Sequence, residues 1–215
     1  MKLQWVGRTN EGRFALSAEG EAYDATPPVA QLIMDKDPLI IHDDILCVVS
    51  VLLYGSYISG PVSLPRRASV EVAQAIERFV APAWTSVSPV EPEPRANPVG
   101  EGDIVLSWGE LPREVQLSEW GKPRVTRLHI SPAGQYAGWL LSMDMMIVAS
   151  NAFLHSAMGD QLAALPYVAM AALFAETFRA NTIVLPANHG LDEATFARAS
   201  DLLASCKLNL RVAAN

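Results

Sequence analysis

Leu165 to Asn188 reads LPYVAMAALFAETFRANTIVLPAN, and this stretch decides the fold. Its first part, through Arg179, is almost wholly apolar or small and forms the main body of a long helix spanning Gln161–Arg179. Thr182–Leu185 is then a short apolar run of β-branched character, the signature of a buried strand. Further out, the same alternation repeats. Ile104–Ser107, Val125–Ile130, Met145–Ala149 and Leu208–Val212 read as four more strands. Leu111–Trp120 reads as a short helix started by Pro112, and Leu191–Cys206 as an amphipathic helix with Asp192 and Glu193 at its positive end. Short apolar strands alternating with helices imply a parallel sheet covered on both faces. The expected class is therefore α/β, with a five-stranded, mainly parallel sheet and flanking helices over residues 103–215.

The region before it reads differently. Lys2–Val6 and Arg13–Ser17 are candidate strands around the turn-forming Asn10-Glu11-Gly12, and Val29–Met34 is a further apolar stretch. Ile45–Ile58, ILCVVSVLLYGSYI, is apolar but short against the roughly 20 residues of a membrane span, so it reads as a buried helix, capped by Asp43 or Asp44. Val62–Leu64 is a candidate strand. Ser69 caps a helix whose Val72, Ala75, Ile76 and Phe79 share one face. Residues 1–81 are thus expected to form a small α+β N-terminal lobe. Pro82, Pro89, Pro92, Pro94 and Pro98 make residues 82–102 an extended, proline-rich linker.

Composition narrows the function. The 215 residues carry a formal charge of -7 without a run of Lys or Arg, which argues against a nucleic-acid groove. Two cysteines, Cys47 and Cys206, make neither a disulfide framework nor a zinc knuckle, and both sit in apolar stretches suited to free thiols. No basic-then-apolar leader opens the chain, so a cytoplasmic location is expected, with no membrane partner.

Three segments together resemble the PP-loop ATP-pyrophosphatases, and most the 7-cyano-7-deazaguanine synthases. They are Leu165–Asn188, Val125–Gln135 (VTRLHISPAGQ) and Asp103–Gly109 (DIVLSWG). In that family a Pro-aromatic pair opens the helix before a strand of the TIVL type, and the first strand leads into a Ser-Gly-Gly-x-Asp-Ser phosphate loop. Here the loop position reads Ser107-Trp108-Gly109-Glu110-Leu111-Pro112. Glycines let backbone amides close on pyrophosphate; Trp108 removes one, and Glu110 adds negative charge. The cysteine cluster that holds zinc in the deazaguanine synthases is missing, so no zinc site is expected. The resemblance implies a degenerate member, a non-catalytic nucleotide- or nucleobase-binding or partner-binding subunit serving a partner protein or a second copy. Two alternatives stand beside it: an active ATP- and Mg-dependent amidating enzyme with rearranged loop chemistry, and an unrelated α/β interaction module.

Ligands of open parallel sheets lie beyond the C-terminal strand ends. The candidate binding residues there are Ser107, Trp108, Gly109, Ile130, Ser131, Gln135, Asn151, Asn188 and His189. In the related enzymes, backbone groups after the second strand read adenine. Trp108 reads either as a purine-stacking platform or as a filler of vacated space, and Glu110 favours the second. Asn188-His189-Gly190 reads equally as a substrate contact or as a loop capping the next helix. His42-Asp43-Asp44 lacks the further ligands of a metal site, and His129, alternating with apolar neighbours, reads as a partly buried structural histidine.

Overall fold

The computed structural model describes residues 1–8, 13–93, 100–109, 124–132, 140–142, 144–156 and 164–213. The expected helix at Leu111–Trp120, the turn at Asn10–Gly12, and Glu110 and Gln135 lie outside them.

The strands are β1 (Lys2–Arg8), β2 (Phe14–Glu19), β3 (Gln31–Met34), β4 (Val62–Ser69), β5 (Val87–Glu91), β6 (Gly102–Trp108), β7 (Val125–Pro132), β8 (Leu140–Ser142), β9 (Met145–Ser150), β10 (Ala180–Leu185) and β11 (Asn209–Val212). The helices are α1 (Asp43–Tyr54), α2 (Val70–Val80), α3 (Ala152–Ser156), α4 (Leu165–Phe174) and α5 (Glu193–Ala204), with a 3-10 turn at Gly55–Tyr57. Among the described residues, no helix is long and apolar enough to cross a membrane.

These strands correct the expectation of a five-stranded sheet preceded by a separate small lobe. One mixed sheet runs in the order β11-β10-β6-β7-β9-β3-β2-β1-β4-β5, and β8 pairs with β9 off that path. β11, β10, β6, β7 and β9 are mutually parallel. The outer edge of β9 is not left bare, because unpaired edge groups recruit a further strand. β8 pairs antiparallel along its start at Met145 and Met146, and β3 joins antiparallel at Ser150. From β3 the sheet continues through the antiparallel β2 and β1 to the parallel β4 and β5. The proline-rich stretch contributes β5, an edge strand, where proline's missing amide is tolerated.

The order exposes a repeat that has no obvious counterpart in the sequence. The first half runs β3-β2-β1-β4-β5 and the second β9-β7-β6-β10-β11, the same 3-2-1-4-5 order, joined through the third strand of each. Only β2 runs against the pattern. In both halves a helix links strands three and four (α1; α3 and α4), and another links strands four and five (α2; α5). Antiparallel pairing of β3 with β9 relates the halves by an approximate two-fold axis normal to the sheet, so both helix pairs lie on one face. There α1 packs on α4 and α2 on α5. β4 and β10 are the equivalent fourth strands, and the helices that follow them are capped by Ser69 and Asp192.

The core is this sheet–helix interface. Leu3, Leu16, Leu32, Ile104, Leu106, Leu128, Val148, Ile183 and Leu185 are buried under α1 and α4, themselves apolar nearly all round. The start of α1 corrects a second expectation. His42 is the cap, its Nδ1 accepting the Asp44 amide at 3.3 Å, whereas buried Asp44 turns away to accept the Ser69 amide at 2.7 Å, tying α1 to the start of α2. Both cysteines are buried free thiols, and burial pushes the pKa of Cys206 up to about 12.

Candidate functional site

The parallel strands β6, β7 and β9 end together, and their register sorts the candidate residues by face. Partners in a ladder share a face, and neighbours along a strand alternate. Trp108, Ile130 and Val148 form one row, facing the helices. Trp108 stacks on Tyr167 of α4, with centroids 4.5 Å apart and planes 2° from parallel. Its indole is therefore held by the protein's own ring, which favours the space-filling reading over the purine platform. Ile130 is buried in the same core.

The opposite face carries Ser107, His129 and Ile147 in one row, and Ser131 beside Ala149 in the next. Ser107 Oγ lies 3.0 Å from His129 Nδ1. Gly109 closes β6 at φ +86°, which glycine adopts freely, and a side chain placed there would meet nothing within 4 Å. The β6–β7 register puts Gly109 beside Ser131. Asp35, immediately after β3, continues the row: its amide donates to the Ala149 carbonyl at 3.1 Å, and its Oδ1 accepts the Ala149 amide at 2.9 Å. Gly109, Ser131, Ala149 and Asp35 thus make a shallow row of small and polar residues across four adjacent segments, with Ser107 and His129 one step behind.

Three polar atoms in this patch are buried without a hydrogen-bond partner among the described residues: Asp35 Oδ2, His129 Nε2 and Ser131 Oγ. Such atoms are uncommon in native interiors, and each forfeits its hydration. Burial lowers the pKa of His129 below the ordinary histidine value, against the opposing pull of the Gly109 carbonyl. Burial raises that of Asp35, although the Ala149 amide opposes it. Both shifts favour neutral forms, so these buried polar groups suit hydrogen bonding with an uncharged group.

The remaining candidates do not join it. Asn151 is a seam residue: its Oδ1 accepts the Ile33 amide at 2.7 Å, and its Nδ2 donates to the Gln31 carbonyl at 2.8 Å. Asn188 is exposed on the loop after β10. His189 Nδ1 accepts the Leu191 amide at 3.0 Å, and its ring lies 5.9 Å from Phe196, so it shapes the turn into α5. Sequence reasoning missed Asp35 altogether, since a lone Asp after a short apolar run carries no motif. His129 was noticed only as a structural residue. Among the described residues no group of His, Cys, Asp and Glu could hold a metal ion.

The geometry defines a mixed α/β protein with a buried polar patch at a strand-end edge. Compared with protein-family models, with curated proteins and with solved structures, the chain matches none.

Proposed function

We propose that this chain is a non-catalytic binding protein of degenerate PP-loop character, whose ligand is an uncharged heterocycle of the nucleobase class or its nucleoside. The observation that carries this reading is the set of unpartnered buried atoms, Asp35 Oδ2, His129 Nε2 and Ser131 Oγ, on one face of the sheet. Together they offer a carboxyl oxygen, an imidazole nitrogen and a hydroxyl, the complement of a base edge carrying both donors and acceptors. A triphosphate is disfavoured by the same burial that opposes charge on Asp35 and His129, and by the chain's net charge of -7. On this reading the chain serves a partner protein or a second copy of itself and does not cleave ATP.

Titration calorimetry with adenine, adenosine, AMP and ATP, with and without Mg, tests it. Base and nucleoside are expected to bind, with ATP no tighter. Ser131→Ala is expected to weaken nucleoside binding about tenfold while leaving thermal stability unchanged or raised, because it removes an unsatisfied hydroxyl from the free protein. Absence of binding by every base and nucleoside sinks the proposal. Mg-dependent pyrophosphate release from ATP would replace it with the active amidating enzyme.

A further inference from the structure

A second candidate site lies on the other face of the sheet, within the helix layer. The end of α1, the end of α2, the start of α4 and the first turns of α5 surround a pocket of about 490 Å³. That size lies within the range of small-molecule sites, and the pocket is built from both halves of the repeat, as such sites often are. Its apolar lining includes Leu52, Leu53, Ile58, Phe79, Val80 and Leu165. Gly55 keeps it open: a Cβ there would come within 2.8 Å of Phe79 Cε1 and push that ring away from α1.

One cation lines this pocket. Arg198 of α5, an exposed side chain, sits with its guanidinium carbon 6.0 Å from the centre of the Phe79 ring. Asp192, the cap of that helix, attracts Arg198 electrostatically but spends its Oδ1 on the Thr195 amide at 2.7 Å, and Glu193 and Asp201 of α5 do not line the pocket. His155, also on the lining, does not compete as a cation: burial lowers its pKa, although the Gln31 carbonyl beside it opposes the shift. Next to the lining residue Ala83, Trp84 is 75 % exposed, a large apolar side chain adjoining the pocket.

We propose that this pocket binds a small amphipathic carboxylate, its hydrocarbon body against Leu52, Leu53 and Phe79 and its carboxylate on the Arg198 guanidinium. Charge complementarity selects the anion: an Arg at the rim of a pocket with an apolar wall pairs with carboxylate in a planar, two-point geometry that a neutral ligand cannot match. The site is independent of the Ser131–Asp35 patch, from which the sheet separates it.

Calorimetry of the full chain with octanoate, and with 1-octanol as the neutral counterpart, provides the test. Octanoate is expected to bind with one-to-one stoichiometry and about tenfold tighter than 1-octanol. Arg198→Gln, a change on an exposed side chain, is expected to remove that difference while leaving 1-octanol binding intact. Ser56→Trp, at an exposed lining residue, is expected to weaken both ligands. Failure of octanoate to bind, equal affinity for octanoate and 1-octanol in the unmodified protein, or unchanged octanoate affinity in Arg198→Gln would each overturn the assignment.

Discussion

His129 is fully buried on β7, so its proton binding is coupled to folding. Its folded pKa is depressed below the ordinary value of 6.5, chiefly by burial. Above that value the imidazole is neutral in both states. As pH falls below it, the unfolded chain takes up a proton that the folded protein resists, and stability is lost until pH passes the folded value. His155 acts with the same sign. The melting temperature is therefore expected to fall between pH 7.5 and 5.5, and His129→Gln, which keeps a polar partner for Ser107, is expected to fall less steeply. Identical slopes would show that His129 does not report on folding. Asn151 makes a separate residue-scale case. Asn151→Ala leaves the Ile33 amide without its partner, and is expected to cost about 1–3 kcal/mol in urea denaturation. Nucleoside binding should stay as it was, since Asn151 belongs to the seam and not to the patch.

At the scale of elements, strands and helices were legible where hydrophobic period alone decides. Val125–Ile130 and Met145–Ala149 read as strands because apolar and β-branched residues dominate them, and both are strands. The helix cap was legible at Ser69, which accepts amides well, whereas Asp192 reads from sequence as an acid inside the first turn and is in fact the cap of α5. The cap of α1 was not: histidine is rarely chosen there, while the adjacent Asp44 is a preferred type diverted to a distant amide. Of the site, Ser107, Gly109 and Ser131 follow from strand ends alone. Asp35 does not, because its place beside Ala149 depends on a pairing 114 residues away in sequence. Where α5 meets β11, Lys207 adopts φ +61°, the left-handed conformation usual for glycine after a helix. Lys207→Gly is expected to stabilise the protein by about 1 kcal/mol, read as a higher denaturation midpoint, because the strain of a Cβ there is relieved. A lower midpoint would mean that the glycine's greater freedom when unfolded outweighs that relief.

At the scale of the molecule, the two halves share one strand order yet meet at a narrow sheet joint. β3 and β9 contribute one ladder pair, Met34 with Ser150, flanked by backbone bonds from the Asp35 amide to the Ala149 carbonyl and from the Asn151 amide to the Ile33 carbonyl, and side chains reinforce them. Ser150 Oγ donates to the Ile33 carbonyl at 2.8 Å, Asn151 spans Gln31 and Ile33, and Asp35 clasps Ala149. The repeat was illegible because the halves share topology and not residue pattern: the first builds strands one to three as a meander, whereas the second runs them parallel. Coupling between the halves rests mainly on the helix layer, where α1 packs on α4 with Leu46, Val49 and Leu53 on one helix and Val168, Ala172 and Leu173 on the other all buried. Burial on that scale, at roughly 25 cal/mol per Å² of apolar surface, far exceeds what a single ladder pair supplies. Neither half can expose that surface without a large penalty, so they are expected to unfold together. Hydrogen exchange along a urea series gives the check, with amides of β1, β4 and α1 set against those of β6, β10 and α4. The two groups should converge on one opening free energy and one denaturant slope. A persistently lower opening energy and slope for the β1–β4–α1 group would show that the first half opens alone, and that the helix layer couples the halves less than its burial implies.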